Sequence, residues 1–515
     1  MQKRIAIIGA GVSGLVACKH VMEKGFSPII FEAKSGIGGV WSQTIESTKL
    51  QTPKNLYQFS DFAWPASVKE TFPSHKQVME YLHAYAAHFN ILPRIRFNTK
   101  VTCIDYVGPA GEEEDMASWD LWSGTGGPFS PNGRWDVTVQ HALDNSAPVE
   151  VYQVDFVILC IGKFSDIPNI PVFPLNEGPE VFNGQVLHSM DYAKMDADCS
   201  AKFTRGKRVA VIGFQKSAID IAVEVANRNG TRHPCTLLFK KVYWTVPEHF
   251  LTLNFKNLNR FTEFMIHKPG EGFFIWLLAF FLSPLLWIFS KVTEFYLMWA
   301  YPLKKYKMIP GHDFIKQISS CMFTVLPANF YSRVNEGSLI LKRSQGFRFW
   351  KDGLIVDGKE NYIQTDIVIF ATGYKGDEKL KNIFGSSYLQ ECIGSSAPFY
   401  RECIHPRIPQ LSILGYSESP SILYTTEMRS KWLAHFLAGT FKLPRIREME
   451  ADVRNWENCI RSYAKEKYKR SCVSVLLQIY CNDQLCKDIG YNPRRKKWVL
   501  AELFAPYSPV DYKFL

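Results

Sequence analysis

Residues Arg4-Ile5-Ala6-Ile7-Ile8-Gly9-Ala10-Gly11-Val12-Ser13-Gly14 set a run of apolar, largely β-branched residues directly against three glycines spaced Gly-x-Gly-x-x-Gly. The apolar run predicts a strand buried on both faces. The glycines allow a tight turn and a close backbone approach, and the amides opening the next helix suit a pyrophosphate. A second apolar strand, Ser27 to Phe31, ends at Glu32, eighteen residues beyond Gly14, where a carboxylate accepts hydrogen bonds from a ribose. Strand, turn, helix and acid predict a dinucleotide-binding unit with Gly9, Ala10, Gly11, Ser13, Gly14 and Glu32 as cofactor-binding residues. An ordinary glycine-rich strand–helix turn is the plainer alternative.

A second glycine cluster follows at once: Ala33-Lys34-Ser35-Gly36-Ile37-Gly38-Gly39-Val40-Trp41. Such a stretch lets main chain lie against a large flat cofactor, and it resembles the glycine-rich segment of flavoprotein monooxygenases. It identifies the nucleotide as FAD and adds Gly39 and Trp41 to its site.

A second unit begins at Lys207. The strand Arg208-Val209-Ala210-Val211-Ile212 leads into Gly213-Phe214-Gln215-Lys216-Ser217-Ala218 and a helix through about Arg228. Gln215 replaces the middle glycine and Ala218 the last. Alanine still permits close helix–strand packing, and the Ser217 hydroxyl can bond a phosphate, so Gly213, Ser217 and Ala218 line the second pocket. The next strand, Thr236–Phe239, ends at Lys240-Lys241, where an NAD-specific protein often carries an acid. Two lysines suit a 2′-phosphate, which makes this nucleotide NADPH. A solvated lysine pair closing a strand is the alternative.

The strand Thr365-Asp366-Ile367-Val368-Ile369-Phe370 runs into Ala371-Thr372-Gly373-Tyr374, paralleling Phe156-Val157-Ile158-Leu159-Cys160-Ile161-Gly162. Two strands ending in a small-x-Gly turn predict the two crossings of a nested double-Rossmann α/β protein, with Thr372 and Gly373 beside a cofactor. The expected domains are residues 1–165 for the first part of the FAD domain, 166–375 for the NADPH domain, and 376–515 for the returning FAD domain with a helical C-terminal region. Short alternating strands at Arg96–Tyr106, Arg134–His141 and Val149–Gln153 predict an antiparallel meander, and the glycine- and acid-rich stretch Gly108–Pro131 an exposed loop. Leu411-Ser412-Ile413-Leu414-Gly415 would supply a last FAD-domain strand.

The chain has 515 residues, 46% of them hydrophobic and 21% charged, which suits a globular protein of two or three cores. Its net charge of +11 is spread without a long basic run interleaved with aromatics, so nucleic acid is discounted. The twelve cysteines show no Cys-x-x-Cys and no metal-ligand spacing, which predicts no metal and free thiols in a reducing compartment. A first strand at about residue 4 leaves no room for a leader, and the expected location is cytoplasmic, with the cytosolic face of the endoplasmic reticulum as a further option.

Residues Phe273–Ser290 are eighteen consecutive uncharged residues inside an insert of about 248–310. The length is near the threshold for a membrane span. Pro284 should kink the segment, and Lys291 and Glu294 cut off its continuation. Both sides of a nucleotide domain must also share one compartment, so a single span is set aside. A buried helical hairpin at a substrate entrance is the favoured reading, and peripheral membrane contact through 273–300 is the other.

Residues Phe182-Asn183-Gly184-Gln185-Val186-Leu187-His188-Ser189-Met190-Asp191-Tyr192 carry the pattern Phe-x-Gly-x-x-x-His-x-x-x-Tyr. With the two Rossmann units at their positions, the chain resembles a flavin-containing monooxygenase over nearly its full length. The related Baeyer–Villiger enzymes end this pattern in tryptophan, so Tyr192 points to the N- and S-oxygenating branch. Lys49-Leu50-Gln51-Thr52-Pro53-Lys54, Phe72-Pro73-Ser74-His75 and Tyr491-Asn492-Pro493-Arg494-Arg495-Lys496-Lys497 look most like the plant-type enzymes, nearest the group containing the pipecolate N-hydroxylase.

The resemblance implies that NADPH reduces FAD and that the flavin then takes O₂ as a C4a-hydroperoxyflavin, which oxygenates a soft nucleophile. An amine or amino-acid nitrogen is the first choice of substrate and a thioether sulfur the second. Oxidative decarboxylation of a 2-keto acid and a non-oxygenating, NADPH-sensing or peroxide-releasing flavoprotein are the further alternatives. His188 is implied as a coupling residue in an interdomain linker. Gln51 stands where family members carry a flavin-side asparagine and offers the same amide one methylene further out. Oligomeric state is not readable from the chain.

Overall fold

A computed structural model describes residues 3–514 except 109–115, 117, 145, 249, 251–257, 323, 358–361, 395–398, 469–471 and 473–474. Parts of the expected loop at 108–131 and of the insert at 248–310 therefore lie outside the described residues.

Among the described residues, eighteen strands are numbered in chain order. The strands of the first sheet are β1 (Ile5–Ile8), β2 (Ile29–Phe31), β3 (Ile95–Arg96), β7 (Phe156–Leu159) and β18 (Leu411–Ile413), all parallel in the order β18-β7-β1-β2-β3. The second sheet holds β8 (Gln185–His188), β9 (Val209–Ile212), β10 (Cys235–Phe239), β13 (Leu339–Arg343) and β17 (Ile367–Phe370), parallel in the order β13-β10-β9-β17-β8. The central strands β1, β7, β9 and β17 are buried along their whole length, which is why they read as unbroken apolar runs.

The two sheets have one layout. Each sets its first strand between the strand that follows the Rossmann helix and a crossing strand, β7 or β17. Beyond the crossing strand lies an outer strand, β18 in the first sheet and β8 in the second. The motif at 182–192 thus departs from the expectation of a linker. Its first half is strand β8, paired in register with Ile367–Phe370, and it continues as the short helix Ser189–Tyr192.

A meander of β4 (Thr99–Val107), β5 (Arg134–His141) and β6 (Glu150–Val154) packs on the first unit, as the alternation predicted. The strands β14 (Phe347–Trp350), β15 (Gly353–Val356) and β16 (Tyr362–Gln364) form a matching meander on the second. β11 (Thr245–Val246) and β12 (Thr324–Val325) pair as a small parallel ribbon. In the first core the Rossmann helix Val12–Glu23 packs on Ile422–Leu437, which is buried from Leu423 to its end.

Three expectations are corrected. The described part of Gly108–Pro131 is anchored rather than an exposed loop, because Trp122 is buried and its indole donates to the His405 carbonyl at 3.1 Å. Cys321 and Cys472 are joined in a disulfide across 151 residues, while the other ten cysteines keep their thiols outside any disulfide. Spacing cannot reveal a pair that only the tertiary fold brings together.

The insert is not a buried hairpin. Among its described residues, besides the short helix Arg260–Glu263, it holds one long helix, Phe273–Ala300, that continues through Pro284 and the charged Lys291 and Glu294. Proline removes the N–H that would reach the Phe280 carbonyl, and the Ser283 hydroxyl donates to that carbonyl at 3.1 Å instead. Lys291 and Glu294 are tolerated because they pair with each other at 2.9 Å, and Lys291 also pairs with Asp313 at 2.6 Å.

Candidate functional site

The two Rossmann turns solve one steric problem in the same way. Gly9 has φ +103°, and a Cβ there would stand 2.6 Å from the Cys160 carbonyl oxygen at the end of β7. Gly213 has φ +138°, and a Cβ there would stand 2.4 Å from the Ala371 carbonyl oxygen at the end of β17. In each unit the turn presses on the crossing strand, and only glycine fits. Gly14 is held still more tightly, since a Cβ would meet the Gly9 oxygen at 1.9 Å. Ala218 occupies the matching place in the second turn and is fully buried.

Both turns open a helix without a side-chain cap: Gly11 precedes Val12–Glu23, and Gln215 precedes Lys216–Asn229. Their first-turn amides are unspent, and the helix dipole favours an anion there. Gln215 takes an extended backbone that needs no glycine, and its side chain is exposed, as is Ser217.

Glu32 lies buried at the end of β2. One carboxylate oxygen accepts from Ala10 N–H at 2.6 Å, and the other from Lys34 N–H at 2.9 Å. The acid therefore ties the glycine turn to the second glycine cluster. That cluster folds back, with Gly38 N–H donating to the Ala10 carbonyl at 3.0 Å, and a Cβ on Gly39 would lie 3.1 Å from Gly11 Cα. The two glycine loops meet backbone to backbone. Trp41 closes them, its indole donating to the Tyr57 hydroxyl at 2.8 Å. Ser13 lies against Gly415, just past β18.

The crossings near 165 and 375 run side by side. Asn169 N–H donates to the Gly373 carbonyl at 2.9 Å, and the Thr372 hydroxyl donates to the Asn169 carbonyl. The side chain of Thr372 thus clasps the crossing. His188 is buried at the end of β8, opposite Phe370, and its ring meets Tyr374 edge-on at 5.2 Å. Its Nδ1 accepts from Met190 N–H at 3.1 Å, capping the helix that ends at Tyr192. Burial pushes the imidazole pKa below its ordinary value, with the Gly373 backbone and Asp191 opposing, so the ring is held neutral.

Gln51 reaches across to the second unit, where its side-chain oxygen accepts from Val325 N–H of β12 at 3.1 Å. Ile45, Leu56 and Phe72 of the first unit pack in one cluster with Tyr192, Phe214 and Ile219 of the second. Beside them the Tyr192 hydroxyl donates to Glu224 at 2.9 Å, Arg228 pairs with Glu224 at 3.0 Å, and the Ser47 hydroxyl donates to Glu224 at 2.7 Å.

Ser47 and Glu224 carry no motif, and sequence reading missed both. Lys240 and Lys241 are exposed at the end of β10, as expected, and they have a third cation beside them. Arg343, at the end of the neighbouring β13, is exposed and donates to the Lys240 carbonyl at 3.4 Å. It lies more than a hundred positions away in the chain, with no signal linking it to the lysines.

The family model described as "FMO-like: Flavin-binding monooxygenase-like" matches residues 2–233 and 306–513, leaving out 234–305, which hold β10 as well as the long apolar helix. A relative from Arabidopsis thaliana named "Probable flavin-containing monooxygenase 1" is 38% identical over 520 residues, covering 99% of this chain and 96% of its own length. Among solved structures, cyclohexanone monooxygenase in an open form is similar over 96% of this chain and 99% of its own, with a TM-score of 0.65 and 17% identity. A complex of OTEMO with FAD and NADP is similar over 95% of this chain and 98% of its own, with a TM-score of 0.65 and 16% identity. These two likenesses concern the fold.

Proposed function

The chain belongs to the flavin-binding monooxygenase-like family, and from that premise we propose that it uses FAD, NADPH and O₂ to oxygenate a soft nucleophile, first of all the nitrogen of an amine or amino acid. The single observation that carries this reading is the pair of glycine turns, each pressed on a crossing strand, opening uncapped helices in two sheets of one layout.

The residues fit the cofactors. Around the first turn, Glu32 holds the two glycine loops in contact, and their bare backbones can lie against a flat ring system and a pyrophosphate. Around the second, Lys240, Lys241 and Arg343 offer three cations to a 2′-phosphate. FAD, once reduced, supplies the two-electron chemistry that splits O₂ between substrate and water. The balance is substrate, NADPH, H⁺ and O₂ giving oxygenated substrate, NADP⁺ and water.

The chain's own work is orientation and exclusion of water. Gln51 fixes the FAD-side loop to β12, and this bond leaves both N–H donors of its amide unused. His188 stays neutral and holds the turn between β8 and Tyr192 beside Gly373, as a positioning residue rather than a proton carrier. Tyr192 supports the N- and S-oxygenating branch, because its hydroxyl bonds Glu224 and Arg228, a role tryptophan could not fill in the same way.

Purified FAD-loaded protein, given NADPH and a panel of amines, thioethers and 2-keto acids under ¹⁸O₂, tests the reading. An amine product carrying one labelled oxygen is expected. Labelled sulfoxide alone would move the substrate to sulfur, and loss of CO₂ from a keto acid would move the reaction class. Peroxide release with no oxygen transfer to any panel member would sink the oxygenase reading.

A further inference from the structure

We propose that the outward face of the helix Phe273–Ala300 docks on an anionic phospholipid bilayer, lying in the interface plane without crossing it. The helix belongs to the long stretch, 234–305, that the family model omits, and unlike β10 in the same stretch it adds no strand to the second sheet.

At about 100° per residue, Ala279, Leu286, Ser290, Thr293 and Leu297 fall within a sector of about 60°. With Glu294, which lies about 40° beyond this sector, these are the residues the protein buries. A helix resting on a soluble body should turn polar residues outward. Here the opposite side presents Phe274, Phe281, Leu285, Ile288, Val292 and Trp299, with Phe274 83% and Trp299 77% exposed. The outward face is the more apolar one, so water is not its partner.

The C-terminal half cannot leave the protein to span a membrane. Phe314 N–H donates to Glu294 at 2.8 Å, Ile315 N–H donates to the Ser290 hydroxyl at 3.1 Å, and Lys291 pairs with Asp313. Leu286 packs with Ile266, Ile460 and Leu477. A helix so fastened along one stripe lies flat, with about 42 Å of length at 1.5 Å per residue available to the interface.

Charge selects lipid over a second copy of the chain. Lys304, Lys305 and Lys307, all exposed, follow directly on the helix. Phosphate headgroups would meet them, and the anionic cytosolic leaflet carries that charge. A second copy would bring an identical helix, whose one acid, Glu294, is buried and cannot pair with these lysines. A smaller exposed group, Trp498, Val499 and Leu500, stands beside the exposed Arg494 and Lys497. Its helix is tied through Phe504 to Phe261 at 5.2 Å, in the segment leading to the long helix.

The test is flotation of the FAD-loaded full chain with vesicles of phosphatidylcholine and phosphatidylserine, read without turnover and so independent of the oxygenase reading. The wild type should float, and a triple variant Phe274→Ser, Phe281→Ser, Trp299→Ser should float at least tenfold less while keeping its flavin. A wild type that stays at the bottom overturns the proposal whatever the variant does. So does an equally floating variant that still binds flavin. A vesicle-bound fraction resistant to alkaline extraction would overturn the in-plane placement. A wild-type dimer that ignores vesicles and becomes a monomer in the variant would assign the face to a second copy.

Discussion

The Ser47 hydroxyl donates to the Glu224 carboxylate at 2.7 Å, joining the loop after the FAD-side glycine cluster to the helix that opens the NADPH-side turn. Glu224 also accepts from Tyr192 and pairs with Arg228, so one buried carboxylate gathers three groups from both halves of the molecule. A nicotinamide and a flavin held by different domains meet productively only if the domains keep their relative placement.

Tyr192→Phe removes two hydrogen bonds from this cluster, the one donated to Glu224 and the one accepted from Arg228, and keeps its packing. A stability loss of about 1 kcal/mol is expected, with FAD retained. Anaerobic reduction of the flavin by NADPH should slow roughly tenfold, about 1.4 kcal/mol in the barrier. Stopped-flow bleaching of the flavin band checks this. An unchanged reduction rate would leave Tyr192 a packing residue only.

Gly14→Ala and Gly213→Ala should separate the two pockets. A Cβ at Gly14 would collide with the Gly9 carbonyl, so that variant is expected to purify colourless. At Gly213 it would collide with the Ala371 carbonyl, giving a yellow protein that NADPH no longer reduces but dithionite does. Visible spectra before and after each reductant decide the matter.

Lys240→Glu with Lys241→Glu places two acids where a 2′-phosphate is expected. The KM for NADPH should rise by a factor of roughly 10 to 100, on the scale of lost charge-assisted bonds, while the KM for NADH changes little. Arg343→Ala should act in the same direction, more weakly. Equal effects on both nucleotides would remove the phosphate from this corner.

Asp220, one turn before Glu224, is buried beside Lys216 at 2.7 Å, and burial raises its pKa from 3.8 to about 6. The folded protein therefore holds this proton more tightly than the unfolded chain. The associated stability is complete below about pH 3.8 and is lost as pH rises through about 6. Asp220→Asn should match the wild type near pH 4 and exceed it above pH 7, by up to about 3 kcal/mol. Urea midpoints measured across that range check the sign.

Much of the site was legible in the chain because it rests on local backbone geometry. Gly9, Gly14 and Gly213 stand where a Cβ is forbidden, and Glu32 ends the strand beside the first turn, so spacing alone marks them. The strand end at Lys240 and Lys241 was readable from the apolar run of Thr236–Phe239. Other features were not. The direction of Gln51, the capping role of His188 and the clasp made by Thr372 depend on partners far along the chain. The helix at 273–300 was misread because its apolar pattern is nearly uniform around the axis, and such a pattern cannot say which stripe is covered.

By itself the amino-acid order determined two nested Rossmann units, their crossing points and their nucleotide turns, since these follow from short-range sterics and strand burial. The tertiary structure alone decided that β8 is an edge strand and not a linker, that Ser47 meets Glu224, that Cys321 meets Cys472, and that the long helix turns its aromatics outward. Each of these is a contact, or a missing contact, between segments distant in the chain, and only packing in three dimensions determines it.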